Sequence, residues 1–324
     1  MLLRIIKSNP LISLALPVLL AASLWGSVYF VHGPQEIKSG IPMFEVFFRW
    51  VLNLPALATL IGLGLLILEA YLWNGFINKQ SLLKQSSYLT ATFYLLLYSC
   101  RPLLISFYPS MFASLFLILA LRSLAESYKK ERALAEAFDA GIFIGLASLL
   151  YFPLIIFILF LWIGLLTMRS IVWREWVVSL VGFILPFGFA LGYYAVFYTP
   201  EKFWYEKLIA ATAHYNRPAP LHWQTAVLLG VVALAGIVCF FFFMQKISDN
   251  VVKNQKISAL IIWFVCFSIC SILLSPAKDA RAFTLLVLPC SFVFANYFTR
   301  AKRKFIPELL FIMMLGAIVI NIFF

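Results

Sequence analysis

Charge is scarce in this chain. Only 12% of its 324 residues are Asp, Glu, Lys or Arg, about half of what an average soluble domain carries. Acids are scarcer still, at 13. So few charges cannot cover a water-facing surface when 64% of the residues are hydrophobic and mean hydropathy is +0.98. A fold of this size has too little interior to hide that much apolar surface. A soluble enzyme and a disordered chain are therefore excluded. Cysteine is also sparse. Cys100, Cys239, Cys266, Cys270 and Cys290 all lie in or at the edge of apolar runs, so a disulfide scaffold held through polar loops is excluded too. Cys266 and Cys270 have the spacing to share one helix face, but a metal needs further ligands nearby and none is evident. They read as small packing residues. Soluble domains, low-complexity tracts and internal repeats are absent. What remains is an all-α polytopic transmembrane helix bundle, a single integral membrane domain over residues 1–324.

The apolar runs fall near 11–31, 51–74, 88–107, 109–127, 138–151, 153–168, 176–198, 223–245, 257–275, 282–299 and 306–324. They predict about eleven membrane segments. The first run follows Met1-Leu2-Leu3-Arg4-Ile5-Ile6-Lys7 and is long enough to span a bilayer, which takes about 20 residues. It reads as a retained signal anchor. Residues 88–127 form one long apolar region broken at Tyr108-Pro109. Pro109 suits a first helical turn, so two helices of about 20 and 19 residues are expected.

Residues 138–168 are too few for two full spans and too many for one. Pro153 biases the residue before it out of the helical region, which leaves a short hairpin or one kinked helix. Charge decides. With a hairpin, 17 of the 25 Lys and Arg residues fall on one side, among them Lys79, Arg122, Lys130, Arg169, Lys256 and Arg300. With a single span the division becomes 13 against 12. Only the hairpin yields the positive-inside bias. The expected arrangement has the N-terminus inside and the C-terminus outside. The same bias accounts for the net charge of +12 without nucleic acid as a partner; the partners implied are membrane lipids. The short hairpin is expected inside the bundle, because irregular backbone at membrane depth needs protein or a water-filled cavity around it. Gly141, Gly145, Ala147 and Ser148 fit close helix approach.

Under this topology, polar residues concentrate on the outer side. The first outer loop holds Glu36 and Glu45, and Arg101 lies near the outer end of the third segment. The loop 199–222 holds His214-Tyr215-Asn216-Arg217, and loops that long are often lids or binding loops. Lys278-Asp279-Ala280-Arg281 stands in a six-residue gap between two spans. Charges held so near the membrane are costly and tend to face a cavity. A Lys with an Arg fork suits a phosphate or diphosphate. A carboxylate beside a low-dielectric region suits a general base. Two other acids read as structural: Glu69, expected near the inner end of its span and able to snorkel, and Asp139, expected to open the fifth segment. No metal site is expected, and cofactors are undetermined.

Three features together resemble the family C (GT-C) membrane glycosyltransferases. They are an N-in first span followed by an outer carboxylate loop; Asp139-Ala140-Gly141-Ile142-Phe143-Ile144-Gly145-Leu146-Ala147-Ser148-Leu149 leading into a short helix pair; and Pro276 to Arg281 followed by Leu285-Leu286-Val287-Leu288-Pro289. The resemblance implies sugar transfer at the outer face from a polyprenyl-phosphate-linked donor. Glu36 or Glu45 would be the base, and Lys278, Asp279, Arg281, Arg217, His214 and Arg101 would bind substrate and phosphate. The sequence departs from that family in having Glu rather than Asp in the first loop. The whole chain also looks like an uncharacterised bacterial inner-membrane family of about this length. Two alternatives stay open: a lipid or polysaccharide transporter or flippase, and a non-enzymatic subunit of an envelope assembly.

Overall fold

The computed structural model describes residues 10–33, 48, 50–51, 53–100, 107–197, 223–274, 283–301 and 305–323. Among these residues stand eleven α-helices: α1 (Pro10–His32), α2 (Pro55–Lys79), α3 (Leu89–Tyr98), α4 (Pro109–Glu126), α5 (Leu134–Leu150), α6 (Phe157–Met168), α7 (Trp173–Phe197), α8 (Trp223–Gln245), α9 (Val252–Leu274), α10 (Thr284–Arg300) and α11 (Phe305–Phe323). Seven of them (α1, α2, α4, α7, α8, α9 and α11) are long and apolar enough to cross a membrane. The chain is a polytopic helical bundle. Its outer helices expose large apolar side chains, such as Phe189 on α7 and Ile237 on α8, as lipid-facing surfaces do.

Prolines stand at three starts, two of them, Pro109 and Pro153, read from the sequence. Pro55 and Pro109 open α2 and α4, and Pro153 sits in the first turn of a short 3-10 segment, Phe152–Ile156. Before it, Tyr151 is extended and ends α5. The chain then turns back through α6. Arg169, just beyond α6, reaches the Ser127 carbonyl at 3.4 Å and the Glu131 carbonyl at 3.2 Å, both in the link before α5. The two ends of the α5–α6 pair therefore lie on one face of the bundle, so it is a hairpin.

Other contacts define that face. Lys79 pairs with Glu126 at 3.0 Å, Asn254 donates to the Ser81 carbonyl at 3.0 Å, Lys256 to the Met168 carbonyl at 3.3 Å and Arg300 to Asn250 at 2.6 Å. We call it the basic face. One ion pair on it is buried: Arg169 lies 3.1 Å from Glu175, and both side chains are under a tenth exposed. Glu175 also accepts the Ala133 N–H at 3.2 Å. This pair ties the start of α5, the end of α6 and the start of α7 together.

Four local expectations change. The third segment is not a 20-residue helix: α3 has ten residues and ends at Tyr98. Pro102 follows closely, and a helix stops at or before the residue preceding a proline. Helix α5 begins at Leu134, so Glu136 takes the first-turn acid position and Asp139 lies exposed inside the helix. The hairpin is not enclosed on all sides, since Leu159 and Leu166 of α6 are exposed. Cys266 and Cys270 share a face of α9, but it is an exposed one, so they do not pack inside.

Helices α5 and α7 touch backbone to backbone. A Cβ on Gly141 would collide with the Ser179 carbonyl, one on Gly145 would lie 2.5 Å from the Phe183 carbonyl, and one on Gly182 would collide with the Phe138 carbonyl. Only glycine permits that approach. At the centre of the bundle, α3 is buried along its whole length. Phe93 packs against Phe294 and Phe298 of α10 and Phe311 of α11. Ten residues rise only about 15 Å, so α3 ends within the bundle. Its neighbours satisfy that end: Trp25 donates to Ser99 Oγ at 3.2 Å, and Asn321 donates to the Cys100 carbonyl at 3.0 Å.

Candidate functional site

Glu69 stands at the heart of the bundle, on α2, with no solvent exposure. Ten residues separate it from Lys79 at the end of α2. That is about 15 Å, half the thickness of a bilayer core of about 30 Å. A glutamate side chain is far too short to snorkel over that distance, so the expectation of a snorkelling carboxylate is overturned.

Its partners come from two other helices. Tyr94 of α3 donates its hydroxyl proton to Glu69 Oε2 at 2.7 Å. Ser114 of α4 lies 3.0 Å from Oε1 through its hydroxyl, which also reaches the Met111 carbonyl at 2.7 Å. Among the described residues, no cation stands within ion-pair distance of Glu69. An ionised carboxylate without a counter-charge is very costly in an apolar interior.

Polar groups extend from this centre in both directions along the bundle. Ser110 is one turn from Ser114 on α4, and Thr284, at the start of α10, donates to it at 3.3 Å. In the sequence, Thr284 follows Arg281 by three residues. At the level of Trp73, one turn from Glu69, the indole donates to Ser291 of α10 at 3.1 Å. Toward the basic face, Asn74 Oδ1, Thr90 Oγ1, Gln80 Oε1 and Ser87 Oγ are buried and lack a hydrogen-bond partner among the described residues. Thr90 is one turn below Tyr94 on α3, and Asn74 lies five residues past Glu69 on α2. Buried polar atoms are normally satisfied, and water or a ligand is the usual partner where the protein supplies none.

The residues expected from sequence to form a site are Glu36, Glu45, Arg101, His214, Arg217, Lys278, Asp279 and Arg281. All eight lie outside the described residues. Tyr94 and Ser114 were not anticipated. One signal for them was available: a lone acid deep in a 25-residue apolar helix needs donors, and the i, i+4 pairs Tyr94/Tyr98 and Ser110/Ser114 are stripes that offer them. Among the described residues no group of three or more His, Cys, Asp or Glu comes together.

No curated protein and no solved structure matches the chain. One family model matches residues 40–324, a stretch that contains the Glu69 site, Glu45 and the loop with Lys278 but begins after Glu36. By that match the chain belongs to the family described as "Family of unknown function (DUF6427)".

Proposed function

We propose that this protein is a transporter or flippase for an envelope lipid or polysaccharide, working in a bacterial inner membrane with its basic face in the cytoplasm, and that Glu69 is the centre of its intramembrane site. One observation carries the reading: a carboxyl at mid-depth, buried among α2, α3 and α4, bonded only to neutral hydroxyls. Ionisable groups inside a bundle are expensive and mark substrate or ion pathways. The short helix α3, which ends within the bundle beside it, supports the same class, since helices that stop inside a bundle build binding sites near the membrane midplane. The polar stripe through Ser114, Ser110 and Thr284 leads to the helix that follows Lys278, Asp279 and Arg281 in the chain. Those residues have the chemistry to receive a phosphate head group.

The test uses purified protein in phosphatidylethanolamine–phosphatidylglycerol vesicles with a fluorescent polyprenyl phosphate, its exposure to an added quencher reporting movement between leaflets. The full chain is expected to accelerate movement, and Glu69→Gln to slow it about tenfold or more. Movement no faster than in protein-free vesicles overturns the reading.

The seam ending at Thr284 also favours a second reading, the GT-C-like glycosyltransferase. There the loop before α10 holds a polyprenyl-phosphate sugar donor, and Glu36 or Glu45 serves as base. Sugar transfer from such a donor that is lost in Lys278→Ala, Arg281→Ala and Glu45→Gln, with Glu69→Gln unaffected, would place this reading first.

A further inference from the structure

We propose that Glu69 is a proton-binding site, occupied by its proton in this conformation and exchanging it with the basic face. The argument is a count of protons. Ser114 has one hydroxyl proton and three oxygen neighbours, the Met111 carbonyl at 2.7 Å, Glu69 Oε1 at 3.0 Å and the Tyr94 hydroxyl. A carbonyl only accepts. The shorter contact takes the serine proton. The Ser114 oxygen then faces Oε1 as an acceptor, and that contact is a hydrogen bond only when Oε1 carries a proton. Tyr94 fills the other oxygen by donating at 2.7 Å. A neutral carboxylic acid, donating to Ser114 and accepting from Tyr94, satisfies both contacts to Glu69.

The surroundings agree. Of the helices packed against this stretch of α2, α3 presents Tyr94 and, one turn on, Tyr98, with ring centroids 6.4 Å apart. Helix α4 presents Ser114, and α10 presents Ser291 to the neighbouring Trp73. The ionisable groups of α4, Arg122 and Glu126, lie at its far end, where Glu126 is engaged with Lys79. Tyr71 of α2 is bonded to the Leu14 carbonyl of α1. No positive charge among the described residues faces Glu69, so nothing there favours the ionised form.

Release is balanced as follows. The O–H bond at Oε1 breaks, and the proton passes to water on the side of Thr90 and Asn74. The Ser114 hydroxyl then rotates from the Met111 carbonyl toward the carboxylate, which accepts from both Ser114 and Tyr94. The unpartnered Thr90 Oγ1, Asn74 Oδ1, Gln80 Oε1 and Ser87 Oγ supply the polar atoms that line the exit. Among the described residues the other direction has fewer such atoms, since Ser110 is already bonded to Thr284.

This deepens the transport reading and rests on it only for what the proton drives. Its test needs no substrate. Infrared difference spectra of the full chain in lipid, between about pH 5 and about pH 10, report the carbonyl stretch of a protonated carboxyl. The expected result is such a band at neutral pH that is missing in Glu69→Gln and moves to higher frequency in Tyr94→Phe, which removes its donor. The Tyr94→Phe shift also covers the case in which Glu69→Gln fails to fold. Deuterium exchange of the band is expected to slow about tenfold in Thr90→Val with Asn74→Leu. A carboxylate signal in place of the band at neutral pH overturns the proposal. An unchanged exchange rate overturns the route to the basic face. If the band is present but vesicles move no lipid, the transport reading fails and the proton site stands.

Discussion

The α5–α7 contact and the α2–α3–α4 seam are both buried helix interfaces of one bundle, and they are built from opposite materials. At the first, Ser148 and Ser179 turn their hydroxyls back onto their own helices, to the Gly145 and Trp176 carbonyls. Glycines bring the two backbones together. At the second, polar groups meet across helices: the Tyr94 hydroxyl and the Ser114 oxygen reach Glu69 from two other helices. In lipid there is little hydrophobic drive between helices, so association relies on close packing or on hydrogen bonds. Shape alone makes a joint. The polar interface holds an ionisable group with no counter-charge among the described residues, whereas Glu175 at the end of the glycine joint is tied to Arg169, which is why the site belongs at the polar one.

The contrast predicts a separation of effects, with the glycine joint controlling folding. Gly141→Leu should abolish recovery of folded protein in detergent, because even a Cβ there meets the Ser179 backbone and backbone cannot swing away. Gly64→Ala is the matched control, since its Cβ meets nothing within 4 Å, and it should be recovered as the parent is. Equal recovery of Gly141→Leu and Gly64→Ala would break the comparison.

Next in size is the staple at the basic face. Glu175→Ala leaves Arg169 buried without its counter-charge, a change that typically costs about 3–5 kcal/mol. A thermal-unfolding midpoint well below that of the parent is expected. Arg169→Ala should act similarly, and the double variant should recover part of the loss, because no unpaired charge is left.

Much of this fold was legible in the sequence. Run lengths placed most of the helices, and charge division chose the hairpin, which the Arg169 contacts to Ser127 and Glu131 bear out. Run length failed at α3, because Leu89–Tyr98 is apolar like its flanks while Ser99, Cys100 and Pro102 end the helix. A hydropathy window averages over such a stop. The Glu69 site was half legible. The acid was visible, but its depth was misjudged, and its partners lie 25 and 45 residues away. A single sequence does not say which faces of α2, α3 and α4 meet. Charged loops drew attention instead, since solvent-exposed charge is the commonest polar signal and the least specific.

A smaller effect tests whether hydrogen bonds across helices away from Glu69 are also structural. Trp73→Phe removes the indole donor to Ser291 and keeps an aromatic ring. Such a bond within a membrane bundle is worth about 0.6–1 kcal/mol. A modest fall in the unfolding midpoint is expected, with the Glu69 infrared band unchanged. A shifted band would show that Trp73 belongs to the proton site rather than to its frame.

The smallest effect lies at the turn between α8 and α9. Lys246 donates to Asp249 at 2.9 Å. That hydrogen bond first, and the lysine's charge second, hold the Asp249 carboxyl below its ordinary value. The sign follows from linkage. A carboxyl depressed in the folded state adds stability above its unfolded value, about pH 3.9, and that stability is lost as pH falls through the lower folded value. Above that window the contribution is constant, so stability near neutrality should not vary with pH on account of Asp249. The pair is exposed to water, where surface ion pairs contribute little. Asp249→Asn should therefore leave the unfolding midpoint at neutral pH unchanged within error. A clear drop in that variant would mean that the turn is ordered by this pair and that its anchoring through Arg300 and Asn250 is not sufficient. The basic face would then owe more of its stability to surface charge than to the buried Arg169–Glu175 staple.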